Sequence, residues 1–170
     1  MKYVSAADDK VSLIQRHFVG LIGKRVVGYE IPQHWNDDKN QWEDFMDYPL
    51  ILNFGENSIE TSVSVSWQLA EDLAIESDRV LPFNSFFALR WICEKNDVLD
   101  EAVGRVLKNA YLASDSYPPL GNKKESLTHL LLKFEDDSVL DIYNAADETG
   151  FSFELKKAFC SSIQCAPLAH

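Results

Sequence analysis

The residues with the most chemistry in them lie in one stretch. From Gln33 to Asp47 the chain carries five acids, two tryptophans and one lysine. Large aromatic surfaces held among charges are the makings of a binding hot spot. Trp35, Asp37, Asp38, Trp42, Glu43, Asp44 and Asp47 are therefore the candidate partner-binding residues. The plainer alternative is that both tryptophans fold back onto the core while the acids solvate a loop. His34 with Asp37 and Asp38 could be assembled into a metal site, but one histidine beside adjacent acids lacks the spacing of a metal motif. Glu43 with Asp47, or Asp136 with Asp137, could run acid–base chemistry only if burial or a like charge raised one member's pKa. These acids read as solvated, and Asp136-Asp137 as turn formers. Cys93 and His129 could pair as thiol and imidazole, with no local signature behind them. No nucleophile elbow, phosphate loop or dinucleotide fingerprint occurs. The sequence thus predicts no catalytic residue, no metal and no cofactor.

Composition narrows the classes further. The chain has 170 residues and a formal net charge of −11, from 27 acids against 16 bases. Phosphate backbones demand a basic surface, so nucleic acid is a poor direct partner. Anionic membranes are disfavoured for the same reason, and no apolar run approaches the roughly 20 residues of a membrane span. A basic protein is a natural partner, since opposite fields steer encounter; simple solubility explains surplus acid equally well. Cys93, Cys160 and Cys165 are an odd number without paired spacing, which suits a reducing compartment. Acids where a signal peptide would keep its apolar segment make cytoplasmic location the expectation.

The elements that would position these residues repeat. Gly23-Lys24-Arg25-Val26 is echoed by Gly104-Arg105-Val106, and Leu50 to Phe54 with Ser58-Ile59 by Leu130 to Phe134 with Ser138-Val139. The spacing is roughly eighty residues in both cases, the mark of an internal repeat. Ahead of the first copy, Asp8 to Leu21 has helical periodicity, with Asp8 or Asp9 as cap and Val11, Ile14, Phe18 and Leu21 as the apolar stripe. Lys24 to Ile31 is a strand stopped by Pro32, and Gln33 to Asp47 a loop. Tyr48 to Phe54 and Ser58 to Trp67 form a hairpin whose Ser62, Ser64 and Ser66 face water. If that second strand lies at an edge, Thr61, Val63 and Val65 could accept a partner strand.

Gln68 to Ile75 reads as a short helix or irregular connection. Pro82 to Ser85 turns into an aromatic segment through Cys93 that is helical or, from Phe87, strand-like, and Asn96 caps a further turn. In the second copy, Arg105 to Ala113, Leu127 to Phe134 and Ser138 to Tyr143 are strands, with Ser114 to Ser126 as a loop. Its return strand carries Leu140 and Ile142 where the first has Glu60 and Ser62, so it is buried on both faces or shifted in register. Thr149-Gly150 turns into Phe151 to Glu154, and Leu155 to Ala166 is a weak helix or frayed end.

These elements make an α+β fold: two related antiparallel β-meander units, about 20–67 and 102–154, packed as a single domain over 1–170. An N-terminal helix and a central helical segment complete it. The repeated Gly-Lys/Arg-Val and Leu-x-Leu-x-Phe patterns resemble β-meander repeats of small acidic immunity proteins from bacterial polymorphic toxin and contact-dependent growth inhibition systems. The resemblance rests on Gly23 to Val26 with Leu50 to Ile59, and on Gly104 to Val106 with Leu130 to Val139. It implies a stoichiometric inhibitor of a toxin domain, often a basic nuclease, and carries no site residues with it. The expected chain is a non-enzymatic monomer. An acidic secretion chaperone that dimerises around an extended client segment, a structural accessory subunit, and a small hydrolase built on a carboxylate or Cys93 are the alternatives.

Overall fold

The computed structural model describes residues 1–56, 59–68, 72–78, 88–93, 96–116, 126–145, 148–154 and 166–167. The expected turn at Pro82–Ser85, Phe86 and Phe87, most of the loop between Ser114 and Ser126, nearly all of the tail from Leu155, Cys160 and Cys165 lie outside these residues.

Helix α1 (Ala7–Phe18) buries Leu13, Ile14 and Phe18 along one stripe. Asp8 and Asp9 do not cap it. The cap is Ala6, without a side-chain bond, and the two acids sit in the first turn, where they meet the positive end of the helix dipole. A 3-10 turn (Val19–Leu21) and Gly23, at φ +85, end the element.

Among the described residues, ten strands form two antiparallel meanders and their extensions, and a two-residue strand joins the second. The first sheet holds β1 (Arg25–Asn36), β2 (Gln41–Asp44), β3 (Leu50–Glu56), β4 (Ile59–Gln68) and β5 (Asp72–Glu76) in the order β2-β1-β3-β4-β5, and β6 (Leu89–Ile92) pairs with β1. A short helix α2 (Asp97–Asp100) leads to the second sheet. That sheet runs β10-β9-β8-β7-β11, from β7 (Leu107–Ser116), β8 (Ser126–Phe134), β9 (Val139–Asn144), β10 (Thr149–Glu154) and β11 (Ala166–Pro167). Asn96 caps α2 as its sequence position suggests, accepting from the N–H groups of Val98 and Leu99.

The units are related in backbone detail. Each first strand carries a bulge at the same place, between Val26 and Gly28 against β3 and between Leu107 and Asn109 against β8. Each is preceded by a glycine at positive φ, Gly23 and Gly104. The strand starts then bond reciprocally. Gly23 N–H donates to Leu107 O and Gly104 N–H to Val26 O, both at 2.8 Å; Val26 N–H donates to Arg105 O and Leu107 N–H to Lys24 O, both at 2.9 Å. Exchanging residue n with n + 81 (104 − 23 = 107 − 26 = 81) turns each bond into its mate. One cluster then gathers buried residues of α1, α2 and both sheets, from Ile14, Phe54 and Trp67 to Leu99, Leu132 and Ile142.

The return strands resolve the face conflict seen in the sequence. Leu52 pairs with Val63 and Leu50 with Val65, whereas Leu132 pairs with Leu140 and Leu130 with Ile142. The offset between units falls from 80 (132 − 52) to 77 (140 − 63) across the hairpin. A loop three residues shorter flips the alternation, so Leu140 and Ile142 take the places of Val63 and Val65. The other face of β9 is closed as well, because Val139 and Asp141 are buried.

Four expectations need correction. Pro32 does not stop β1: the strand continues to Asn36, and Pro32 keeps a useful carbonyl that accepts from Phe45 N–H at 2.9 Å. Gln33–Asp47 is therefore mostly a hairpin. Within Gln68–Ile75 the described residues are strand and not helix, Gln68 ending β4 and Asp72 opening β5, and Leu89–Ile92 takes the strand alternative. Ser64 and Ser66 are not in water. Both are buried, with Ser64 donating to Asp78 O at 2.7 Å and Ser66 bonded to the Tyr3 hydroxyl at 3.0 Å.

Candidate functional site

Within the first sheet β1 pairs in two stages. Arg25 to Glu30 pairs with β3, and from Ile31 the strand runs between β6 and β2 as the middle of a small three-stranded ribbon. At its end, residues 37–40 turn, with Asn40 at φ 50. Asn36 shapes that turn by accepting from the N–H groups of Asp38 and Lys39 at 3.0 and 3.1 Å. The turn brings Trp35 opposite Trp42 and His34 opposite Glu43.

Alternation divides the ribbon into two faces. On one, Trp35 and Trp42 meet edge to face with centroids 5.6 Å apart, and the Arg90 guanidinium lies 4.5 Å from the Trp42 centroid. Gln33 holds that guanidinium by accepting from Nε at 2.9 Å and Nη2 at 2.7 Å, while its own amide donates to Asp44 at 2.8 Å. A cation above an indole ring is an attractive contact, so Arg90 stiffens the aromatic pair. Both tryptophans are half-buried and the tip residues Asp37 to Gln41 are exposed. On the other face His34 packs on Phe45 at 4.6 Å, and Phe45 on Tyr48 at 5.2 Å.

The acids fall into two groups. Glu43 accepts from Lys39 at 2.7 Å, Asn36 at 2.8 Å and Gln41 at 2.9 Å. Lys39 first, then the two amides, pull its carboxyl pKa down to about 2. Its charge is spent inside the hairpin. Asp37, Asp38, Asp44 and Asp47 are exposed, and among the described residues none is in an ion pair. Of the seven predicted residues the fold thus gathers Trp35 and Trp42 with Asp44 on one face, Asp37 and Asp38 at the tip, Glu43 on the opposite face and Asp47 past the end of β2. Arg90 and Gln33 belong to the same surface. The sequence gives no sign of Arg90, which joins only through the pairing of β6 with β1.

The other sequence candidates are placed elsewhere. Asp136 accepts from the Ser138 N–H and pairs with Arg105. Asp137 takes φ 65 and is held below the usual carboxylate range by Lys133 and Lys108. Both act at the β8–β9 turn. Cys93 is exposed just after β6, whereas His129 is buried on β8 with Nδ1 2.9 Å from Asp141. Among the described residues no group of three or more metal-ligating side chains assembles, around His34 or elsewhere. β3 pairs with β4 from Ile59 to Val65 and β5 from Ser64 to Gln68, so Val65 is flanked on both sides and cannot accept a partner strand, whereas Thr61 and Val63 precede the stretch that β5 covers. No helix among the described residues is long and apolar enough to cross a membrane.

Comparison with protein-family models, curated proteins and solved structures found no match.

Proposed function

We propose that this chain is a stoichiometric binding protein that meets a positively charged protein partner through the β1–β2 ribbon. The partner we infer is a toxin domain that the chain neutralises, with a substrate-binding surface basic enough to be covered by carboxylates. One observation supports the reading above others: Asp44 shares a face with an aromatic pair already fixed by Arg90 and Gln33, Asp37 and Asp38 stand exposed at the tip and Asp47 just past β2, and among the described residues none of the four is in an ion pair. Rigid aromatic anchors bury area at small entropic cost. The aspartates, with a chain charge of −11 behind them, favour fast encounter with a cation.

Co-expression with the product of the adjacent reading frame tests the proposal. The expected result is an equimolar complex whose association slows steeply as salt rises. A neighbour that does not bind, or that binds with a rate indifferent to salt, argues against this function.

A further inference from the structure

The first residues of the chain begin a strand against β5 and leave it after one rung. Val4 N–H donates to Leu73 O at 2.9 Å and Leu73 N–H to Val4 O at 3.0 Å. Those two groups of Leu73 point away from β4, so the same groups of Ile75, two residues on, also point away from β4. Among the described residues none bonds either group of Ile75, although Ile75 is only 1% exposed. Buried backbone groups left without partners are costly. Beside them lies a groove of about 760 Å³ between β5, α1 and the first residues, with Lys2, Val4, Leu13, Arg16 and Ile75 in its walls. Its size is that of sites that take ligands.

The register explains why the chain's own strand stops. With Val4 opposite Leu73, residue 2 would stand opposite Ile75, its side chain on the same face. That face is the core: Leu73 and Ile75 are buried in it and Val4 packs against it. Position 2 is a lysine, whose ammonium cannot be buried there without a partner. Lys2 is exposed, and the segment peels away before the second rung.

We propose that the outer edge of β5 is a strand-addition site for an extended segment of another protein, with apolar side chains at the two positions facing Leu73 and Ile75. Such a segment replaces the Val4 rung in kind and adds the missing rung at Ile75. The residue between the two apolar ones points outward. Backbone pairing supplies the attraction, and the alternate side chains supply selectivity. This site is separate from the β1–β2 ribbon and does not depend on its role.

The test uses the full chain carrying Val4→Pro, which removes the N–H that ties the chain's own strand to Leu73. Two acetylated, amidated hexapeptides serve as probes: Met-Lys-Tyr-Val-Ser-Ala, and the same peptide with valine in place of lysine. The valine peptide is expected to bind about tenfold tighter or better, because it buries no charge, and to slow hydrogen exchange at the Ile75 amide. N-methylation of the valine facing Leu73 is expected to abolish binding. Equal affinity of the two peptides, undiminished binding of the methylated one, or an unchanged Ile75 amide in the complex overturns the proposal. Lys2→Val in the otherwise unaltered chain gives an independent reading: it is expected to zip the first residues onto β5 and protect the Ile75 amide without added peptide. An unprotected Ile75 amide in that variant overturns the register argument.

Discussion

Glu43 offers the sharpest check on how the ribbon holds its shape. Its carboxylate accepts three side-chain bonds, from Lys39, Asn36 and Gln41, and its pKa falls from an ordinary 4.5 to about 2. The folded carboxylate therefore keeps its charge where the unfolded one has lost it. Its bonds support the hairpin fully above pH 4.5, and that support is lost as pH falls through about 2. Carbon-detected NMR of the carboxylates should show Glu43 titrating with a midpoint near 2. Lys39 is the largest cause of the drop, so Lys39→Met should raise the midpoint clearly towards the ordinary glutamate value, the two amide bonds retaining part of the shift. Glu43→Gln should loosen the tip and alter the fluorescence of the Trp35–Trp42 pair. A wild-type midpoint at or above 4, or one that ignores the loss of Lys39, refutes the claim that Glu43 serves the hairpin from within.

Other consequences concern the reciprocal joint between the units. Gly23 and Gly104 sit at φ +85 and +89 with nothing within 4 Å of where a Cβ would stand. Alanine at either therefore meets backbone strain and no clash, and should cost about 1–2 kcal/mol in denaturant titration; a neutral result would deny the strand starts their left-handed geometry. The buried Tyr29 hydroxyl donates to Asp100 at 2.5 Å and accepts from Asn96 N–H at 2.9 Å, pinning α2 to β1. Tyr29→Phe should destabilise by roughly 2–4 kcal/mol, the loss of one charged and one neutral bond. Burial first, then Asp100, raises this phenol from 10 to about 12. Its contribution is thus complete below pH 10 and is lost as pH rises through about 12, which ultraviolet titration of Tyr29 should show as a late midpoint.

How much of this was legible in the sequence depends on which faces of each element meet water. α1 and the β3–β4 and β8–β9 hairpins advertise themselves, because one stripe or face is apolar and a glycine or acid-rich turn separates the strands. The ribbon does not. Gln33 to Asp44 has half-buried residues on both faces, so no period of two emerges, and Pro32 suggests a stop that its position in the ladder does not enforce. β5 hides for the opposite reason: Leu73, Ala74 and Ile75 are all buried, and three apolar residues in a row have no period. Ser64 and Ser66 look wet in the sequence because what covers them, the Tyr3 hydroxyl and the Asp78 carbonyl, comes from elsewhere in the chain. At the candidate site, the acids and tryptophans could be named from residue type alone. Their division into spent and available charge needed the register of β1 against β2, and Arg90 needed β6.

The most direct trial of the binding account is recovery of a partner from the source cells at low salt, with wild-type chain and with a variant carrying Asn at the four positions Asp37, Asp38, Asp44 and Asp47. The account predicts a basic protein held by the wild type, released as salt climbs past the range where exposed charges are screened, and largely lost from the variant. A partner retained equally by both chains at high salt would contradict it.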